Sequence, residues 1–229
     1  MRRLALWLAS ALSCCAFAAS AQEAEEITDP QLERGRAVFI AASCEGCHTA
    51  PDDGVFLAGG RAITSPFGTF YSPNITPDRE TGLGDWSEED FARALREGRS
   101  PAGEPYYPAF PYTSYTGMSD EDVAALWAYL QSVEAVEAPN REHELKFPFG
   151  FRLLLEPWRW MNFKEGRFTP DPALNEQQAR GAYLVEVLGH CSECHSPRNR
   201  LGALDPDRRL AGTASGPDGR RVSNITPHA

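Results

Sequence analysis

The sequence predicts an all-α protein of two tandem helical units, the second incomplete at its C-terminus. Three observations predict it. The pentapeptide Cys-x-x-Cys-His occurs twice, as Cys44-Glu45-Gly46-Cys47-His48 and Cys191-Ser192-Glu193-Cys194-His195. Landmarks recur around it in the same order: Arg34-Gly35, Leu57-Ala58-Gly59 and Asn74-Ile75-Thr76-Pro77, then Arg180-Gly181, Leu210-Ala211-Gly212 and Asn224-Ile225-Thr226-Pro227. Self-similarity of this kind marks one structural unit written twice. The stretch before each pentapeptide carries apolar residues at helical spacings: Leu32, Val38 and Phe39 within 31–42, and Tyr183, Leu184 and Val187 within 176–188.

The other elements follow from punctuation. Gly82-Leu83-Gly84 breaks the chain, Ser87 is placed to cap a helix opened by Glu88, Glu89 and Asp90, and Gly98 ends it. Phe91, Ala94 and Leu95 form its apolar stripe. A proline-aromatic loop over 105–112 should hold its shape without regular structure, because proline fixes φ and donates no backbone hydrogen bond. Ser119 or Asp120 then caps a helix over 120–132 whose apolar face is Val123, Leu126, Trp127 and Leu130. The expected organisation is a leader over 1–21, a first unit over 31–136, a connector over 137–172 and a second unit over 173–229. The connector is rich in Pro, Phe and Trp, too apolar for a flexible linker, and should wrap the units together. Its segment 157–163, which contains Met161, reads as an aromatic packing patch.

Residues 1–21 have the form of a secretory signal: Arg2 and Arg3, an apolar core over 4–17, and Ala19-Ser20-Ala21 as cleavage site. The apolar run is shorter than the roughly 20 residues of a membrane span. Cleavage removes Cys14 and Cys15, and the four remaining cysteines all lie in the pentapeptides. Loss of Arg2 and Arg3 takes the formal net charge from −10 to −12. That balance argues against nucleic acid, whose binding rests on basic residues neutralising phosphates. It suits steering toward a basic docking patch, or solubility alone.

A disulfide framework or a structural zinc site could also use paired cysteines. Two identical Cys-x-x-Cys-His strings behind an export signal read instead as covalent haem c attachment, two haems and their iron per chain. Cys44, Cys47, Cys191 and Cys194 supply the thioethers, while His48 and His195 are the proximal iron ligands. Met118, in a loop between helices, is the candidate sixth ligand of the first haem, although most methionines simply pack in cores. The second unit has no counterpart. Met118 lies 41 residues after Pro77, whereas two residues follow Pro227. Met161, His190 and His228 are weak substitutes, and an incomplete C-terminus is the simplest account. Carbonyls near Pro51 and Pro197, just past each histidine, are expected to accept the other imidazole N–H.

Beyond these motifs, 34–129 resembles the class I cytochrome c units of bacterial membrane-associated alcohol- and gluconate-type dehydrogenases. The marks are Cys44 to His48, Ser72-Pro73-Asn74-Ile75-Thr76-Pro77-Asp78, Gly82-Leu83-Gly84-Asp85-Trp86-Ser87, Tyr107-Pro108-Ala109-Phe110-Pro111-Tyr112-Thr113 and Met118-Ser119-Asp120-Glu121-Asp122. The second copy adds Arg180-Gly181-Ala182-Tyr183-Leu184 and the run from His190 to Asn199. The resemblance implies tandem class I cytochrome c domains, no catalytic residue, and single-electron transfer from a dehydrogenase subunit toward quinone, an oxidase or another cytochrome. It departs in motif number: such subunits commonly carry three haem units and a membrane-associating tail, and this chain has two motifs. The expected location is the periplasm, with the outer face of the inner membrane as one place within it. Membrane association is expected only through a partner or a C-terminal tail. The competing expectation is a dihaem redox enzyme, thiosulfate dehydrogenase-like or peroxidase-like, using an open second haem.

Overall fold

Asp29 opens the first helix. Its carboxylate accepts from the Gln31 amide at 2.8 Å, Pro30 takes the first turn, and α1 runs Pro30–Ala41. The computed structural model describes residues 29–216 and 219–227, so the leader, its cleavage site and His228 lie outside the described residues. A left-handed Ser43 turns the chain into α2, Cys44–His48, the first pentapeptide. Ser87 and Asp90 form a reciprocal capping box at the head of α3 (Glu88–Glu97), which stops at a left-handed Gly98. After the proline-aromatic loop comes a single turn, α4 (Tyr112–Tyr115). Ser119 then accepts from the Asp122 amide and starts α5 (Asp120–Ser132).

Helices α1 and α5 cross at Gly35. A Cβ there would lie 2.1 Å from the Ala125 carbonyl oxygen and 2.7 Å from the Tyr129 Cβ, so only glycine permits the approach. The crossing buries Val38, Phe39, Val123, Leu126 and Leu130 with Leu57, Phe91, Leu95 and Met118 in one core.

The expectation of an all-α fold needs correction. A small antiparallel sheet of order β1-β2-β3 lies beside the helices. Strands β1 (Ala62–Ser65) and β2 (Gly68–Tyr71) form a hairpin in register Ser65↔Gly68. The Ser65 hydroxyl holds the turn, accepting from the Phe67 amide and donating to the Gly68 carbonyl. The β-branched Ile63, Thr64 and Thr69 suit the pleat. The connector supplies β3 (Glu144–Leu145) against β2.

Beyond β3 the connector is more ordered than its composition suggests. A 3-10 turn, Arg152–Leu154, runs into α6 (Leu155–Asn162). It fastens to both copies: Arg159 donates to the Glu97 carbonyl at 2.6 Å, and the Trp158 indole donates to the Leu201 carbonyl at 2.8 Å. Trp160 and Met161 do not form the packing patch expected of them, being 86% and 58% exposed. Helix α6 turns that side away from the protein.

The second copy begins with α7 (Glu176–Tyr183), capped by Asn175 and Gln178, and continues as one π turn, Leu184–Leu188, before α8 (Ser192–His195). The π turn has a cause in the sequence. Arg34 precedes Cys44 by ten residues and Arg180 precedes Cys191 by eleven. One residue inserted into a helix is accommodated by a single widened i→i+5 turn. Tyr183, Val187 and Leu188 join the core of Val38, Phe39 and Met118, so the two copies share buried surface.

Candidate functional site

Each pentapeptide folds as one short helical turn that ends at its histidine, and each histidine is anchored across the chain. His48 Nδ1 lies 2.8 Å from the Pro73 carbonyl oxygen, and His195 Nδ1 lies 2.8 Å from that of Ser223. A carbonyl only accepts, so each Nδ1 is the donor, and in the neutral imidazole Nε2 carries the lone pair a metal would take. Burial lowers the pKa of His48, which favours the same neutral imidazole. The acceptors correct the expectation that the segments at Pro51 and Pro197 would serve. They come instead from 25 and 28 residues downstream, immediately before Asn74 and Asn224.

That crossing segment is held by the same bonds in both copies. Gly59 and Gly212 donate to the His48 and His195 carbonyls, each at 2.7 Å. Ile75 and Ile225 donate to the Leu57 and Leu210 carbonyls, each at 3.0 Å. Thr49 and Ser196 hydroxyls accept from the Leu57 and Leu210 amides, at 3.0 and 2.9 Å. Asn74 and Asn224 close local turns by accepting from the Thr76 and Thr226 amides, at 2.9 and 2.8 Å. Backbone conformation matches too: Leu57 and Leu210 have φ of 58° and 60°, and Gly59 and Gly212 have φ of 78° and 75°. A Cβ on Gly59 would sit 2.5 Å from the Pro73 carbonyl carbon, and one on Gly212 would sit 2.6 Å from the Asn224 nitrogen. The glycine lets the carbonyl-bearing segment pass close under the histidine. Sequence reasoning missed the hydroxyl pair, although its signal was present: Thr49 and Ser196 directly follow the two histidines.

Cys44, Cys47 and Cys191 carry thiols outside any disulfide. Burial, helped by Cys47, pushes the Cys44 thiol up to about 12. No group of three or more His, Cys, Asp or Glu side chains that could hold a zinc ion occurs among the described residues. The donor set fits haem c: two sulfurs separated by two residues, and a neutral imidazole fixed through its far nitrogen.

Met118 lies between α4 and α5 and has no exposed surface; its neighbours in the core include Leu57, Phe91 and Leu126. Arg96 donates to its carbonyl at 3.3 Å, which ties the loop to α3. Met161 is exposed on the connector, and His190 lies 3.4 Å from the Ala42 carbonyl oxygen through Nε2.

The two pentapeptides approach one another through that contact. The Tyr115 hydroxyl donates to the Ala42 carbonyl at 2.9 Å, and its ring meets the His190 ring edge-on with centroids 5.5 Å apart. Thr113 donates to Glu193 within the second pentapeptide at 3.2 Å. Tyr115 is therefore wedged between residues just before Cys44 and just before Cys191. Burial first, then nearness to Cys44, Cys47 and Glu193, raises its hydroxyl pKa well above the ordinary tyrosine value. Asp122 fixes the docking from the other side. Buried at 2% exposure, it accepts from Arg34 at 2.7 Å and from the Tyr183 hydroxyl at 2.6 Å.

Comparison with known proteins agrees with this geometry. The family described as Cytochrome c matches residues 32–134. The chain is 42% identical over 218 residues to the diheme cytochrome c-type protein of Cereibacter sphaeroides, covering 87% of this chain and 71% of that protein. It is 45% identical over 199 residues to the fructose dehydrogenase cytochrome subunit of Gluconobacter japonicus, covering 86% of this chain and 40% of that subunit. It is 40% identical over 232 residues to the gluconate 2-dehydrogenase cytochrome c subunit of Pantoea cypripedii, covering 95% of this chain and 51% of that subunit. The chain thus spans about half or less of the length of these two dehydrogenase subunits. With the thiol pairs, the anchored histidines and the buried thioether in view, the chain belongs to the c-type cytochromes, among relatives that include a diheme cytochrome and the cytochrome subunits of dehydrogenases.

Proposed function

We propose that this chain is a periplasmic dihaem electron carrier serving a dehydrogenase, with tandem cytochrome c domains over 31–136 and 173–229 joined by 137–172. The observation that carries the reading is the repeated bracket, His48 to Pro73 and His195 to Ser223, at the same distance within the same set of bonds. Haem iron supplies one-electron chemistry by cycling between ferric and ferrous states. Cys44 with Cys47, and Cys191 with Cys194, would hold each haem by thioether bonds. His48 and His195 would present Nε2 to the iron, and the carbonyl behind each ring fixes Nδ1 as the donor and makes Nε2 more basic. Met118 would offer the first iron a soft sulfur, and the buried apolar core around it would favour the less charged, reduced state.

Tyr115 and His190, whose rings meet edge-on beside the two pentapeptides, would lie near the path of an electron passing from one haem to the other in this reading. The acidic surface would steer the protein to a basic patch on its donor or acceptor. A dehydrogenase subunit is the donor in this reading, as the names of its relatives suggest, and quinone, an oxidase or another cytochrome is the acceptor.

Haem counting tests the proposal. Acid-acetone-extracted holoprotein should retain two haems per chain by pyridine haemochrome, and the pair Cys191→Ala and Cys194→Ala should retain one. Haem passing into the organic phase, or a count unchanged in the double variant, would refute it.

A further inference from the structure

Met118 sits in a loop whose hydrogen bonds divide by origin. The amides of Thr116, Gly117 and Met118 close local turns onto the carbonyls of Tyr112, Ser114 and Tyr115, at 2.9, 3.1 and 2.9 Å. Arg96 of α3 takes the Met118 carbonyl. Four groups that these bonds leave over, on either side of the methionine, are claimed from outside the first unit. The Thr116 hydroxyl accepts from the Gly166 amide at 3.1 Å, and the Thr116 carbonyl accepts from Arg167 at 3.3 Å. The Gly117 carbonyl accepts from the Phe168 amide at 3.1 Å. The Ser119 amide donates to the Tyr183 hydroxyl at 3.1 Å, and that hydroxyl in turn donates to Asp122.

Packing follows the same division. The Phe168 and Tyr183 rings meet with centroids 5.6 Å apart. A Cβ added to Gly117 would lie 2.8 Å from the Val187 Cγ2, so glycine lets the second unit close on the loop. Thr116 and Gly117 are buried, and buried polar groups that lose their partners are costly, so the loop keeps this conformation only while the outside groups are in place. A ligand fixed by its backbone binds without the cost of ordering it. We propose that residues 166–168 and Tyr183 form a strap that seats the Met118 loop, with Tyr183 as a positioning residue. The docking of the second unit then sets how firmly the first iron keeps its thioether. This inference rests on Met118 being the sixth ligand of that iron.

The test is an imidazole titration of the ferric holoprotein, read through the near-infrared sulfur-to-iron band of a thioether-ligated haem. Tyr183→Phe keeps the ring against Phe168 and removes the hydroxyl. Thr116→Val keeps the side-chain shape and removes the acceptor of the Gly166 amide. Each should lower the imidazole concentration that displaces the thioether by about two- to tenfold, the factor one hydrogen bond is worth, and Thr116→Ser should leave it as in the unaltered chain. Asp90→Ala breaks the capping box of α3, so it should lower stability in a denaturant melt without moving that concentration. A band lost in Met118→Ala but displaced at an unchanged concentration in Tyr183→Phe and Thr116→Val would overturn the strap alone, as would an equal fall in Asp90→Ala. A band absent from the unaltered chain, or surviving in Met118→Ala, would overturn the strap together with the ligand reading beneath it.

Discussion

Met118 has no exposed surface, and it is the position where one side-chain substitution separates packing from chemistry. As a packing residue alone, its truncation to alanine would cost about 2–5 kcal/mol of stability and leave the iron's environment unchanged. As a ligand, its truncation should also remove the near-infrared sulfur-to-iron band and lower the potential of one haem, because a thioether favours reduced iron. Spectroscopy and redox titration of Met118→Ala read both, and an unchanged band and potential would leave the thioether a packing group. The donors themselves are legible in the sequence because their chemistry is local: two thiols and an imidazole in five residues. Their acceptors are not. The Pro73 and Ser223 carbonyls reach His48 and His195 only once a loop of 25 or 28 residues has closed, and backbone carbonyls carry no residue signature.

At the scale of the element, equivalent glycines have opposite needs. A Cβ built on Gly35 in α1 would lie 2.1 Å from the Ala125 carbonyl oxygen of α5, while nothing lies within 4 Å of a Cβ built on Gly181 in α7. Gly35→Ala should force the helices apart and destabilise by about 1–3 kcal/mol or more. Gly181→Ala should stabilise by about 0.5–1 kcal/mol through helix propensity. Denaturant melts of the two variants check the contrast, and equal effects would remove the close crossing as the reason for Gly35. Helices announce themselves where capping chemistry is local, as at Ser87 with Asp90 and at Ser119. The β1–β2 hairpin does not, being two four-residue strands with half-exposed faces. Helix α6 does not either, since its apolar stripe points outward and periodicity alone cannot tell an outward stripe from a packed one. The π turn is legible in principle, because the eleven-residue spacing from Arg180 to Cys191 exceeds its counterpart by one.

Across the whole molecule, the repeat evident in the sequence becomes two cradles that meet at Tyr115 and His190 and share one buried core. How the copies dock is invisible in the sequence, because the docking bonds join residues far apart in the chain. Asp122 receives Arg34 from one side and Tyr183 of the second copy from the other, spanning 88 and 61 residues. Two one-electron sites on one chain are the central claim. Coulometric reduction of the holoprotein, followed through its haem absorbance, tests it most directly. Two electrons should be taken up per chain, falling to one when Cys191 and Cys194 are both replaced by alanine. Uptake of a single electron by the unaltered chain, or of two by that variant, would contradict it.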